Sequence, residues 1–286
     1  MNGVIVVDGE VYPAESACVP ALDRGFLYGD SVYEVIRTYS GRPFALREHL
    51  DRLQRSASLV MIDLPLPLDE LASHIEGALE EVGPGEWYMR VIVTRGCGPI
   101  GLDPDLADKP RWVLIILPLP VLPEAYRTEG VAVSMVAISR AGQGAMPMGA
   151  KTGNYLTNIM ALKKARGRGS FEAIQVDSSG QISEGTTSNI FIVTSGEVHT
   201  PPIAAGILDG ITRRKVIELC EKASLEVRQE HLRPLDIYAA DEVFLTGTLK
   251  EVLPVTTVDG KSVGDGLPGP ITIRLQKLYS ESTAAR

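Results

Sequence analysis

Cysteine is scarce in this 286-residue chain: Cys18, Cys97 and Cys220 are the only three, and they lie far apart. An odd number of distant cysteines fits neither a disulfide framework nor a zinc site. The four histidines, His49, His74, His199 and His231, are also scattered, so no metal is expected. Positive charge is not in excess: 28 Lys+Arg stand against 36 Asp+Glu, a formal net charge of −8. There is no basic stripe with interleaved aromatics, and neutralising a phosphate backbone needs clustered cations, so no nucleic-acid partner is expected. Long hydrophobic runs are missing too. The longest apolar stretch, 113–123, is broken by Pro118, Pro120 and Pro123, well short of the ~20 residues a membrane helix needs. The opening MNGVIVVDGEVYP has no basic n-region and reads as strand, Asp-Gly turn and strand, so no signal peptide is expected. Repeats and low-complexity tracts are absent as well. The expectation is a cytoplasmic, soluble, metal-free protein.

What is present is ordinary globular material, 44% hydrophobic and 22% charged, of a length suited to two domains or one large one. Residues 31–39 alternate as a strand, Ser40-Gly41 signals a turn, and 43–46 is expected to return as a hairpin. Helical spacing over 47–61 and 69–82 is followed by β-branched strands at 88–94 and 112–117. The prolines after 117 suggest a semi-rigid linker at 118–127, between an N-terminal domain 1–117 and a C-terminal domain 128–286. Beyond it the pattern predicts a strand at 131–138 and a Gly/Met-rich loop at 141–150. A helix near 154–166, a hairpin of 173–176 with 189–193, and a helix near 212–223 follow. Strands near 227 and at 242–246, then a helix near 269–280 started by Pro270, complete the reading. Strands and helices mix without the regular alternation of a doubly wound sheet.

Four features look chemical. Lys151 is the only ionisable acid or base from 141 to 162 apart from Tyr155. An ammonium among small and apolar residues is destabilised, so its pKa is expected to fall, as a Schiff-base lysine requires. The turn 206–212 (GILDGIT) feeds a helix N-terminus, a ready anion site to which Thr212 adds a hydroxyl, and Thr246-Gly247-Thr248 repeats that chemistry. Glu184, read as lying just ahead of the strand at 189–193 among Gly and hydroxyl residues, suits a protonated heterocyclic nitrogen. Tyr33, Val35, Arg37 and Tyr39 share one face of a strand, Tyr28 lies just before it, and Tyr88 and Arg90 share a face of another. Each has a plainer alternative: a solvated loop lysine, an ordinary helix start, a strand-end glutamate, exposed amphipathic strands.

Taken together, seven ordered stretches resemble the fold-type IV pyridoxal-phosphate enzymes, the class IV aminotransferases. They are DRGFLYGDSVYEVIR (23–37), REHLDRLQRSA (47–57), MRVIVTRG (89–96), GAKTGNY (149–155), ISEGTTSNIFIV (182–193), GILDGITR (206–213) and GTLKEVLPV (247–255). The resemblance covers nearly the whole chain. It implies an α/β two-domain fold, D-amino acid aminotransferase-like, and a homodimer with both subunits contributing to each active site. It also implies pyridoxal 5'-phosphate as cofactor, with Lys151 as the lysine that carries it as a Schiff base. Glu184 then matches the carboxylate facing the pyridine nitrogen, and Tyr155 the tyrosine near the ring hydroxyl. Arg52 matches the phosphate-binding arginine, Ile211, Thr212 and Thr248 complete the phosphate cup, and Leu208 packs on the ring. Tyr28, Tyr33, Arg37, Tyr88 and Arg90 fall to the substrate, an amino acid or 2-oxo acid.

Within the family, Tyr88-Met89-Arg90 and Gly153-Asn154-Tyr155 resemble the L-branched-chain aminotransferases, with 2-oxoglutarate as acceptor. Where D-amino-acid aminotransferases carry an Arg-x-His pair, this chain has Ile100-Gly101-Leu102. Tyr33, Val35 and the run 184–189 depart from the branched-chain pattern. A D-amino acid or amine transaminase, an aminodeoxychorismate lyase and a catalytically silent binding dimer therefore stay as alternatives.

Overall fold

The structure is a computed structural model that describes residues 3–138 and 149–284. The loop read at 141–150 lies mostly outside the described residues. Contacts divide the chain into two units: one runs to Pro120 and takes in Ala150–Asn154, the other holds Val121–Gly149 and Tyr155 onward. This differs from the expected partition in two ways. The proposed linker is not a simple spacer, because Glu124–Thr128 forms helix α4. Lys151, assigned by its position in sequence to the C-terminal domain, groups instead with the N-terminal unit.

The first unit contains β1 (Val4–Val7), β2 (Glu10–Pro13), α1 (Arg24–Tyr28), β3 (Ser31–Tyr39), β4 (Arg42–Pro43), α2 (Leu46–Leu59), α3 (Leu68–Val82), β5 (Trp87–Thr94) and β6 (Arg111–Pro118). Its sheet runs β2-β1-β6-β5-β3-β4. The return strand expected at 43–46 is only Arg42–Pro43, since Ala45 adopts a left-handed φ of 53° and α2 starts at Leu46. One sheet face carries Val32, Ile36, Met89, Val91, Val93, Leu114 and Ile116, and packs against Leu50, Leu53, Leu71 and Ile75 of the two helices. The period of two therefore sends Tyr33, Val35, Arg37, Tyr88 and Arg90 to the opposite face.

The second unit adds β7 (Val131–Ala137), α5 (Leu156–Arg166), β8 (Glu172–Val176), β9 (Ile182–Gly185), β10 (Asn189–Thr194), β11 (Glu197–Thr200), α6 (Ile211–Lys222) and β12 (Val227–Gln229) to α4. It closes with α7 (Pro234–Ala239), β13 (Glu242–Gly247), β14 (Glu251–Val258), β15 (Lys261–Ser262) and α8 (Pro270–Ala284). The sheet order is β12-β11-β10-β13-β14-β7-β8-β9, with β15 on β14. The expected hairpin of 173–176 with 189–193 is not formed, because β8 pairs with β9 and β7 while β10 pairs with β11 and β13. Glu184 thus stands on a strand of its own, β9, ahead of β10 in the chain. Among the described residues no helix is long and apolar enough to cross a membrane.

Candidate active site

In the first unit, Ala150–Asn154 lies along the start of β3. Thr152 bridges Val32 antiparallel, Tyr33 N–H donates to the Lys151 carbonyl (3.0 Å), and Gly153 N–H donates to the Ser31 carbonyl (2.9 Å). Gly153 is required by this approach, since a Cβ there would collide with the Ser31 hydroxyl. The Lys151 N–H donates to Ser56 Oγ of α2 at 3.1 Å. With both its backbone groups bonded, the residue is fixed at the root of its side chain. Its Nζ stands 4.5 Å from the centroid of the Tyr33 ring.

The same ring carries Arg90, whose Cζ lies 4.0 Å from its centroid. Strand register explains the meeting: Val35 pairs with Arg90, Arg37 with Tyr88, and Tyr33 with Ile92. Arg90 Nε is buried and has no hydrogen-bond partner among the described residues. Burial pushes the Tyr88 hydroxyl up, and its hydrogen bond with Arg90 and that charge oppose the rise. Arg37 is turned along its own strand, its Cζ 4.1 Å from the Tyr39 centroid and its Nε donating to the Thr38 carbonyl (3.3 Å). Tyr28 is also engaged, its hydroxyl accepting from Gly101 N–H at 3.3 Å. The structure thus gathers Tyr33, Tyr88, Arg90 and Lys151 but occupies Arg37 and Tyr28 elsewhere.

Arg52 is buried on α2. Its Nε and Nη2 donate to the two oxygens of Glu34 at 2.6 and 2.7 Å, a bidentate pair. His49, one turn earlier on the helix, places Nδ1 2.7 Å from Glu34 Oε2. Burial alone would raise the Glu34 pKa, but the Arg52 guanidinium and the bonds from Arg52 and His49 hold it down to about 2. Burial, helped by the charges of Arg52 and Lys151, lowers the His49 pKa against the pull of Glu34. A neutral ring beside an ionised carboxylate must donate through Nδ1–H. Sequence reasoning missed Glu34 and His49. The available signal was phase: Glu34 shares the core face of β3 with Val32 and Ile36, where a carboxylate needs a buried partner.

In the second unit, Glu184 Oε2 accepts the Leu208 N–H at 2.9 Å, and the Leu208 carbonyl accepts Asn189 Nδ2 at 2.9 Å. The turn before α6 is thereby fastened from both sides. Gly210, the residue preceding α6, makes no side-chain cap, so the first-turn N–H groups of Ile211 and Thr212 lack the usual capping oxygen. A Cβ on Gly210 would strike Asn189 Oδ1. Asn189 is also the cross-strand neighbour of Thr246, which puts the Gly247-Thr248 turn at the same end of the sheet. Tyr155 precedes α5, and one turn on Asn158 Nδ2 donates to the Thr186 carbonyl (2.7 Å), two residues after Glu184. An uncapped helix start with hydroxyls suits a phosphate, and a carboxylate braced by an N–H suits a heterocyclic N–H.

An α/β chain holding a backbone-anchored lysine, an uncapped helix start and a fixed carboxylate has the donor set of a pyridoxal-phosphate enzyme of fold-type IV. The class IV amino-transferase family model matches residues 31–258, and the chain belongs to that family. It is 38% identical to a putative branched-chain-amino-acid aminotransferase of Methanocaldococcus jannaschii over 277 residues, covering 97% of this chain and 95% of that one. It is 34% identical to a D-alanine aminotransferase of Bacillus licheniformis over 278 residues, covering 97% and 96%. Among solved structures, the branched-chain amino acid aminotransferase of Escherichia coli superposes with a TM-score of 0.91 at 34% identity, covering 96% of this chain and 92% of that one. The protein is an aminotransferase acting on amino and 2-oxo acids.

Proposed function

We propose that this enzyme moves the amino group of an L-amino acid, branched-chain by preference, to a 2-oxo acid such as 2-oxoglutarate, using pyridoxal 5'-phosphate. The cofactor, when bound, supplies an electron-withdrawing ring for the electron pair of the substrate's Cα–H bond. Lys151 Nζ would carry the cofactor, then take the proton from the substrate's Cα and deliver it to C4′. Glu184 would keep the pyridine nitrogen protonated, and Leu208, whose N–H it accepts, would pack on the ring. Tyr155 serves the ring hydroxyl. Arg52, Ile211, Thr212 and Thr248 receive the phosphate, with Arg52 oriented by Glu34.

One observation carries the choice of hand: the unpartnered Nε of Arg90, on the face it shares with Tyr33 and Tyr88. It offers an anion a donor there, while Ile100-Gly101-Leu102, at the place of the D-type basic pair, carries no charged side chain. Ile100 and Leu102 are exposed, and the carbonyls of Gly101 and Leu102 accept from Arg24 at 2.8 and 3.3 Å. Likeness to a D-alanine aminotransferase means that overall identity does not decide between the hands. A carboxylate left unpaired in a partly desolvated site loses several kcal/mol. We expect kcat/KM for L-leucine to exceed that for D-alanine and for a chiral primary amine with one acceptor. The reverse order for D-alanine would overturn the L-specific reading.

The reading includes a homodimer. Arg24 and Tyr28 of α1 hold the 100–102 loop against the helix. Phe26, Ile100 and Leu102 are nevertheless 76, 79 and 81% exposed, an apolar surface that a monomer leaves wet. Phe26→Asp is expected to shift the sedimentation coefficient from dimer to monomer. A wild-type chain that sediments as a monomer at micromolar concentration would refute the dimer.

A further inference from the structure

A buried ion pair in the second unit takes no part in the chemistry above. Lys250, 9% exposed, places Nζ 2.5 Å from Glu172 Oε2 and donates to Thr187 Oγ1 at 2.5 Å. Glu172, 1% exposed, uses its other oxygen to accept from Thr187 N–H (2.8 Å), Ser188 Oγ (3.0 Å) and Thr186 Oγ1 (3.1 Å). Burial would raise the Glu172 pKa, but the Lys250 charge and these donors keep it low, so the carboxylate is ionised. Burying two charges yields little net stability over a well-packed apolar pair, so what such a pair contributes is geometry.

The geometry is specific. The pair joins the start of β8, the 186–188 segment that leads from β9 to β10, and the 247–250 turn between β13 and β14. Glu184 is two residues from Thr186, and Asn158, which bonds the Thr186 carbonyl, sits one turn beyond Tyr155. Thr248 lies inside the turn that the Lys250 N–H closes onto the Gly247 carbonyl at 3.1 Å. The next residue, Glu251, has a left-handed φ of 57°, and its carboxylate is held by Arg127 Nη1 at 2.5 Å. A non-glycine residue stays in that conformation only when its surroundings over-determine it. Lys250 on one side and Arg127 on the other do so.

We propose that Lys250 is a positioning residue: shared between Glu172 and Thr187, its ammonium sets the Gly247–Lys250 turn so that Thr248 presents its N–H and hydroxyl to the cofactor's phosphate. This rests on the reading of Thr248 as a phosphate ligand. The test titrates cofactor-free full-length protein with pyridoxal 5'-phosphate and, separately, with pyridoxal, which lacks the phosphate. In Lys250→Met, affinity for the phosphorylated form is expected to fall roughly ten-fold, the worth of one misplaced charge-assisted hydrogen bond. Affinity for pyridoxal should stay within about two-fold, and Glu172→Gln should repeat the pattern. Equal losses for both ligands, or none for either, would overturn the positioning role. If the methionine variant fails to fold, Lys250→Gln, which keeps a donor to Thr187, is used. A chain that folds with neither side chain would make the pair a folding element and overturn the proposal. Wild-type protein that binds pyridoxal as tightly as its phosphate would instead refute the underlying reading of the phosphate cup.

Discussion

Lys151→Ala is expected to lower transamination by at least about 10⁴-fold, because in the proposed mechanism one amine both carries the cofactor and moves the proton, and proton transfer alone is worth about 10²–10⁴. The fold should survive. Lys151 engages Ser56 and Tyr33 through its backbone N–H and carbonyl, and alanine retains both groups. Melting temperature should therefore change by no more than about a degree or two, well below the shift a lost core contact brings. Two measurements check this: borohydride reduction followed by mass spectrometry, which should fix cofactor at residue 151 only in the wild type, and a thermal melt. A variant that still fixes the cofactor at another lysine would overturn the assignment. A variant that unfolds would mean that the Nζ contact with Tyr33 carries stability as well.

The second large effect concerns Glu34. Glu34→Ala takes from the Arg52 guanidinium its bidentate acceptor and from the His49 ring its carboxylate, and breaking a buried pair in this way costs roughly 3–5 kcal/mol. A melting temperature lower by about 10 °C follows. The pH dependence has a definite sign. The folded carboxyl titrates near 2 against an ordinary 4.5, so its stabilisation is full above about pH 4.5 and is lost as pH falls toward 2. The variant should lack that segment of the acid-unfolding curve.

Arg52→Ala carries a similar penalty in reverse, because it leaves the buried Glu34 carboxylate with the His49 ring but without its guanidinium. Cofactor loss in that single variant therefore confuses binding with folding. Replacing both partners, Glu34→Leu with Arg52→Met, should recover most of the stability, since a buried pair and an apolar pair of similar volume are near equals. Cofactor affinity should stay about ten- to a hundred-fold low if Arg52 binds phosphate. A stable double variant with unchanged affinity would remove Arg52 from the phosphate cup.

The elements whose pattern is local were legible in advance. Residues 31–39 appear as β3 with those bounds, and 69–82 and 88–94 differ from α3 and β5 by one residue at the start. Alternation and helical spacing report on immediate neighbours, and those strands and helices pack one face against one core. Register was legible only in part. The shared face of Tyr33, Val35 and Arg37 follows from a period of two, but that Arg90 comes over Tyr33 needs β3 and β5 paired in one alignment.

The class of chemistry was readable from the chain alone through the seven ordered stretches that resemble a known family; the lone lysine, the glycine turn and the carboxylate each kept a plainer reading until that resemblance joined them. Three other things came only with the folded arrangement. It returned 150–154 to the N-terminal unit, since backbone hydrogen bonds to the edge of β3 are invisible in side-chain patterning. It set β8 beside β9 rather than β10, because strand partners are chosen by long-range closure and not by strand character. And it buried Glu34 against Arg52, and Glu172 against Lys250, pairs separated by 18 and 78 residues. A charge pattern along the chain cannot announce such partners; desolvation makes each charge depend on the one other group close enough to neutralise it.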